Sequence, residues 1–389
     1  MAGYCAFLQI YATQPLLPML TGVFHASRDA VNLTVSMASL GVAVAAPFAG
    51  ILADRIGRRR VIVWSAFLLA LTGLLTAAAK TLPALIAFRF LQGVFTPGVF
   101  AVTVAYINDE WREAGAGRVV AAYISGTVSG GFSSRVLAGL IAARGSWPPV
   151  FVVLGGLTLV LAFAVAAWLP AERQDVLQRE NASESQGWNA VLEHLRNGSL
   201  LATFGAGFCV LFSLVAIFTY VTFHLAAPPY SLQPAALGEI FFAYLAGVVV
   251  TPLAGRAIER FGHRLTLTAA IVVGVAGVAL TLGSSLWTIA LGLAVCCIGI
   301  FSAQASASAF IGRAAGRNRG LAVGLYATFY YLGGSAGAAA PGPFYSWGGW
   351  RACAAFIGCV QVVTILIALL WWKPADTKYP YDAGTGISA

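Results

Sequence analysis

Three ionisable side chains stand inside long apolar runs of this 389-residue chain, and that setting restricts the chemistry open to them. Arg89 sits among Phe88, Phe90 and Leu91; Arg135 lies well inside the next run; Glu239 is followed by Ile240, Phe241 and Phe242. An arginine in the middle of a membrane-crossing segment costs on the order of 2.5–3.5 kcal/mol, so it faces a cavity, meets a partner or caps backbone carbonyls. Burial makes a carboxylate hold its proton and a nearby arginine makes it release it, so an acid placed between the two can exchange protons usefully. Glu239 is the one carboxylate inside a run, and it is expected to pair with Arg89 or Arg135 when ionised and to let go when protonated. The alternative is an acid reaching the membrane surface. His224, near the end of its run, is either a second proton carrier or an interfacial residue. Gly131 and Gly139 flank Arg135 at four residues on either side, on the same helix face, which lets another helix come close.

Gln14, Gln92, Gln304, Ser302, Ser306, Tyr326 and Tyr330 are further polar or amphipathic groups within apolar runs. Such residues either bond helix to helix, at about 0.6 kcal/mol each, or line a cavity for amphipathic organic molecules. Enzymatic chemistry has no visible apparatus: there is no HExxH, no GxSxG and no phosphate-cradling glycine loop with lysine. The six cysteines form no CxxC pair and fall in apolar segments, where cysteine packs as a small hydrophobe. No metal, disulfide framework or cofactor is expected.

The elements that carry these residues follow from composition. Hydrophobic residues make up 59% of the chain and charged ones 10%, with mean hydropathy +0.82; a soluble domain has about 25% charged residues. Twelve apolar spans are predicted, at roughly 2–22, 30–53, 61–79, 83–107, 118–143, 149–169, 199–224, 235–255, 265–283, 287–311, 320–345 and 352–372. All must be helical, because lipid offers no partner for an unpaired backbone group. Seventeen Lys and Arg fall in the loops on one side and four on the other. The arginine-rich side, with both termini, is therefore predicted to be cytoplasmic. The net charge of +9 is read as a strip beside anionic lipid head groups, with no nucleic-acid partner. Residues 170–198 form a polar linker ending in an amphipathic helix, with Trp188, Val191, Leu192 and Leu195 on one face. The expected organisation is a six-helix unit over 1–169, the linker over 170–198, a second six-helix unit over 199–373 and a tail over 374–389.

A duplicated motif supports two equivalent halves. Gly50-Ile51-Leu52-Ala53-Asp54-Arg55-Ile56-Gly57-Arg58-Arg59-Arg60 matches Gly255-Arg256-Ala257-Ile258-Glu259-Arg260-Phe261-Gly262-His263-Arg264 at an offset of 205. Gly130-Gly131 and Trp147 match Gly333-Gly334 and Trp350 at an offset of 203. Repeated membrane halves enclose a central site reached alternately from each side.

These residues resemble the major facilitator superfamily along essentially the whole chain. Gly50 to Arg60 look like its signature loop between spans 2 and 3. Tyr11-Ala12-Thr13-Gln14-Pro15-Leu16-Leu17-Pro18 resembles the opening of its bacterial efflux, drug/proton antiporter-like branch, and Arg89-Phe90-Leu91-Gln92-Gly93 resembles the span 4 motif of proton-coupled members. Gly126, Gly130 and Gly131 resemble the antiporter motif in part, with Gly131 in the place of its proline. The resemblance implies an all-α membrane protein of two pseudo-symmetric six-helix bundles that rock about a mid-membrane cavity. It implies a cytoplasmic gate built from Gly50, Asp54, Arg55, Gly57, Arg58 and Arg59, with Glu259 and Arg260 as the second copy. In that gate Asp54 faces the start of span 11 and Arg58 pairs with Asp109. The function expected is proton-coupled efflux of a small organic molecule across a bacterial inner membrane, by a monomer without cofactor. Arg89, Arg135, Gln14, Gln92, Gln304, Tyr326 and Tyr330 are the cavity candidates. The alternative is an organic-anion symporter or uniporter, because two arginines against one acid leave the cavity positive.

Overall fold

The computed structural model describes residues 1–110, 116–170, 188–315 and 319–372, and among these every regular element is a helix. The N-terminal half comprises α1 (Ala2–Phe7), α2 (Leu17–Phe24), α3 (Arg28–Ile56), α4 (Arg58–Ala77), α5 (Leu82–Glu110), α6 (Ala116–Ala142) and α7 (Pro148–Trp168). A short helix α8 (Trp188–Arg196) precedes the C-terminal half: α9 (Gly198–Ala226), α10 (Pro234–Glu239), α11 (Ala243–Leu280), α12 (Leu286–Ala314), α13 (Arg319–Ala339) and α14 (Gly342–Trp371). The helices form two six-span bundles.

Eight helical runs are long and apolar enough to cross a membrane by themselves. The run from Pro234 to Leu280 has 47 residues, about 70 Å at 1.5 Å per residue, more than two bilayer thicknesses. It is two crossings hinged at Gly262, whose φ of 79° no helix accommodates. The remaining crossings are α1 with α2, α6 and α13. The last two are rich in small residues that let backbones approach: Gly130 of α6 meets Tyr4 of span 1, Gly333 and Gly337 of α13 meet Phe208 and Phe212 of α9, and Gly139 of α6 meets Gly238 of the opposite bundle. Exposed tryptophans ring both ends, with Trp287 and Trp347 at the arginine-poor end and Trp168 and Trp371 at the other, as suits membrane interfaces.

The duplication is stamped on the backbone. The described glycines with positive φ are Gly57 (96°), Gly145 (90°), Gly262 (79°) and Gly349 (62°). Gly57 and Gly262 turn the chain in the two copies of the charged motif, 205 positions apart; Gly145 and Gly349 turn it before the paired tryptophans, 204 apart. Trp147 and Trp350 are both buried behind them.

Two predicted boundaries move. Span 11 was expected to run to 345, but α13 ends at Ala339, and residues 342–347 start α14 ahead of its kink at Gly348 and Gly349. Pro341 causes this, having no N–H to continue the first helix and standing at the N-cap of the second. Span 1, expected as one helix, breaks between Phe7 and Leu17, where 3₁₀-type bonds link Ala12 to Gln9, Gln14 to Tyr11 and Leu16 to Thr13. Pro15 and Pro18 lie at the break, and the carbonyls before them lose helical donors.

Arg89 closes that break from α5. It is fully buried, and its guanidinium donates to the carbonyls of Gln9 (2.7 Å) and Ile10, to Thr34 of α3 (3.2 Å) and to the Gln92 side chain. Gln92 bonds Gln9 Oε1 at 2.9 Å and Thr76 at 3.1 Å, and Gln9 bonds Thr158 at 2.8 Å. Spans 1 to 4 and 6 are thereby tied through one polar knot.

The linker is described only from α8 onward. Val191 and Leu195 of its expected apolar face are half-buried, Leu192 is exposed, and the Trp188 side chain lies outside the described residues, as do 171–187 and the tail from 373. Asn197 then caps α9, its Oδ1 accepting from the amides of Ser199 (3.1 Å) and Leu200 (3.2 Å).

Inside the N-terminal bundle α3 and α5 touch backbone to backbone: a Cβ on Gly93 would run into the Ala38 carbonyl, one on Gly41 into that of Phe90. Gly50, further along α3, faces open space. Gly93→Leu is therefore expected to prevent accumulation of folded protein, while Gly50→Leu leaves thermal stability in detergent unchanged; equal effects would contradict this packing. Arg89→Gln should lower stability by ~1–3 kcal/mol, the cost of leaving the Ile10 carbonyl without a donor, read as a fall in the detergent melting temperature.

Candidate functional site

The bundles meet along three seams, α3 with α13, α6 with α10, and α2 with α9, and the contacts concentrate toward the arginine-poor side. Ser36 Oγ donates to the Ser335 carbonyl at 2.9 Å and lies 2.9 Å from the Ser335 hydroxyl. Gly139 and Gly238 face each other so closely that a Cβ on Gly139 would lie 2.8 Å from the Gly238 Cα. Gln14 donates to Thr219 at 3.3 Å, and Phe132 meets Phe242 edge-on at 5.0 Å. At the arginine-rich ends Gly50, Gly255, Gly320 and Gly324 meet nothing within 4 Å. These cross-bundle contacts thus lie toward the arginine-poor side.

The arginine-rich side holds the signature loop. Asp54 is exposed and pairs with Arg58 at 3.7 Å within its own loop, while the start of α13, its expected partner, stands clear at Gly320 and Gly324. Arg58 also donates to the Ala105 carbonyl at 3.2 Å; the Asp109 side chain, its expected acid, lies outside the described residues. Arg59 holds the end of α7 through the carbonyls of Ala166 (2.9 Å) and Leu169 (2.8 Å), where a helix C-terminus favours a cation. Gly57 supplies the turn, and Arg55, Glu259 and Arg260 are exposed, Arg260 lying 5.2 Å over the Phe261 ring.

At the seam itself the centre is Arg135. Its side chain is 3% exposed and lies 4.7 Å from the Tyr11 ring, 5.0 Å from Phe241 and 4.8 Å from Tyr244, so rings from both bundles surround the guanidinium. Nε donates to Gln14 Oε1 at 2.8 Å and Nη1 to the Gly131 carbonyl at 2.6 Å. Among the described residues Nη2 finds no acceptor. The Tyr244 hydroxyl is buried and also without a partner, as are Thr13 Oγ1 and Ser134 Oγ in the chain neighbours of Gln14 and Arg135. Tyr330 meets Tyr331 edge-on at 5.4 Å.

The remaining candidates fall elsewhere. Arg89 and Gln92 belong to the polar knot of the N-terminal bundle and share no hydrogen bond with Arg135. Glu239 is exposed and ion-paired with neither arginine, contrary to the expected pairing. The reason is helical phase: Gly238 packs on Gly139 and on the Arg135 backbone, and the next residue is turned about 100° away. His224 stacks on Trp350 at 6.1 Å and meets Tyr230 at 5.4 Å near the arginine-poor end. Gln304 accepts from Tyr326 at 3.0 Å and donates to Ser308 at 3.2 Å, and Tyr326 stacks on Tyr330 at 5.8 Å. Sequence reasoning did not single out Phe241, Tyr244 and Thr219. Tyr11 and Gln14, three residues apart and so on one face of a turn, were the available signal.

The chain matches the Major Facilitator Superfamily over residues 1–242 and 223–386. It is 29% identical over 371 residues to the uncharacterized MFS-type transporter YybF of Bacillus subtilis, covering 95% of this chain and 90% of that one. It is 30% identical over 366 residues to the inner membrane transport protein YnfM of Escherichia coli, covering 94% and 87%. A crystal structure of a variant of the nucleoside transporter NupG superposes with a TM-score of 0.71 at 15% identity, over 96% of this chain and 99% of that one. With two six-span bundles related by a 205-residue repeat and a family match along nearly the whole chain, this chain is a multi-pass membrane transporter of the major facilitator superfamily.

Proposed function

We propose that this transporter exports a small organic molecule across a bacterial inner membrane by alternating access, driven by inward movement of protons. The observation that carries the reading is the placing of the contacts between the bundles, Ser36–Ser335 and Gly139–Gly238, toward the arginine-poor side, with the start of α13 clear of Asp54 at the other. The arginine-rich, open side is taken as cytoplasmic by the positive-inside rule. That orientation puts both termini in the cytoplasm and makes the present state inward-open. The relative YnfM is named as an inner membrane protein, and the efflux-type opening of span 1 supports the outward direction. The unit is read as a monomer.

In this scheme closure of the cytoplasmic side brings Asp54 to the N-terminus of α13. A carboxylate gains about 0.3–1 kcal/mol from the unpaired amides there, enough to bias a gate and little enough to be broken in each cycle. Glu239 is the proton carrier proposed. It stands next to the Gly139–Gly238 contact, so opening of that seam changes its surroundings, and Arg135 comes free across the same gap.

Two measurements decide these points, using proteoliposomes and a labelled compound selected by a thermal-stability screen of antibiotics and metabolites. A disulfide between Ser36→Cys and Ser335→Cys should stop transport and reductant should restore it; undiminished flux with the bridge formed would refute alternating access at this seam. Glu239→Gln should fold normally, the native side chain being exposed and unpaired, and should lose the response to an imposed pH gradient. Retention of full proton-driven transport in that variant would remove Glu239 from the mechanism.

A further inference from the structure

The environment of Arg135 specifies what kind of molecule the central cleft is built to hold. Burying a guanidinium is unfavourable unless charge and hydrogen bonds compensate it. Here the compensation is partial: two donors are satisfied by neutral acceptors, Gln14 and the Gly131 carbonyl, and three rings contribute their faces. No carboxylate stands against it among the described residues, because Glu239 is turned away. The Nη2 edge has no acceptor, and the side chain retains 3% of its surface accessible. Tyr244, whose ring lies 4.8 Å from the guanidinium, is 6% exposed, and its buried hydroxyl has no partner either.

We infer that Arg135 and Tyr244 together form the anchor for a monocarboxylate carried on an aromatic body, the substrate class of this transporter. A carboxylate is flat and has two acceptor oxygens, so one can take the Nη2 edge while the other takes the Tyr244 hydroxyl. One uncompensated cation matches one negative charge, which favours a monoanion over a dianion. The rings of Tyr11, Phe241 and Tyr244 form the surface against which an aromatic ring packs. These contributions come from three spans: Tyr11 and Gln14 from span 1, Arg135 from α6 and Tyr244 from α11. A bound anion would therefore touch both bundles, as a molecule must if its binding is to bias their rocking.

The inference rests on the transporter reading, and its test is separate from flux. Purified full-length protein in detergent is titrated with benzoate, salicylate and phenylacetate, and with the uncharged amide of each. The acids are expected to bind roughly ten- to hundredfold tighter than their amides, the range for hydrogen bonds to a charged group. Arg135→Gln should abolish that preference and Arg135→Lys retain part of it. Tyr244→Phe should weaken the acids several-fold and leave the amides unchanged. Should Arg135→Gln fail to fold, the acid–amide comparison in the wild type and the Tyr244→Phe series decide the matter. Equal binding of acid and amide, binding of neither, or a folded Arg135→Gln that still prefers acids would each overturn the assignment. Such a failure leaves alternating access standing, since the Ser36–Ser335 cross-link judges that on movement of a compound chosen without regard to charge.

Discussion

Within a bilayer no water is available to complete an unfinished hydrogen bond, so each backbone break and each buried charge must be answered by another part of the protein. The two intramembrane arginines answer that demand in opposite ways. Span 1 is broken at Pro15 and Pro18, and the break leaves carbonyls that helix geometry cannot serve. Arg89 serves them, and its donors are consumed within the N-terminal bundle, so it acts as a fixed structural pin. Arg135 lies where the bundles meet and is held by softer means, an amide oxygen, one carbonyl and ring faces. A group held in that way can exchange partners at modest cost, whereas one locked among several carbonyls cannot.

The break in span 1 also explains how Arg135 reaches both halves. Residues 8–16 leave the regular helix and bring Tyr11 and Gln14 to the seam, where Gln14 bonds Thr219 of α9 on one side and Arg135 of α6 on the other. Glycine and serine then set how closely the bundles approach. Ser36 against Ser335 and Gly139 against Gly238 form one closed set of contacts, and Gly50, Gly255, Gly320 and Gly324 are four small residues without neighbours at the opposite ends. Small residues stripped of contact on a helix face cost little in this state. They preserve the option of close backbone approach when the other side shuts.

Much of this architecture was legible in the sequence, because the bilayer reduces the problem to run length and charge placement. The twelve spans, the two halves and the turns at Gly57 and Gly262 follow from apolar length and from a motif repeated at 205 residues. What hydropathy could not register was backbone connectivity. Pro15 and Pro18 break span 1 without interrupting its apolar character, and Pro341 moves the end of α13 by several residues for the same reason. The site was read less well. Arg89 and Arg135 are indistinguishable as isolated charges in apolar runs, and their separate roles depend on carbonyls exposed in another helix. Glu239 shows the sensitivity of such inferences to phase: one residue after Gly238, it is turned out to the edge of the seam.

The proposed substrate class and the exposed position of Glu239 fit together on energetic grounds. Moving one elementary charge through a membrane potential is worth about 2.3 kcal/mol per 100 mV. An inside-negative potential therefore pushes a monoanion outward with no counter-ion at all, and draws a proton inward with the same sign. An exporter of anions thus needs no carboxylate buried beside its substrate, and such a carboxylate would oppose binding by competing for Arg135. A carrier for protons is better placed at the edge of the seam, where access changes as the bundles rock and where its charge does not neutralise the anchor. The separation of an unpaired guanidinium at the centre from an acid at the rim is the arrangement those two tasks require.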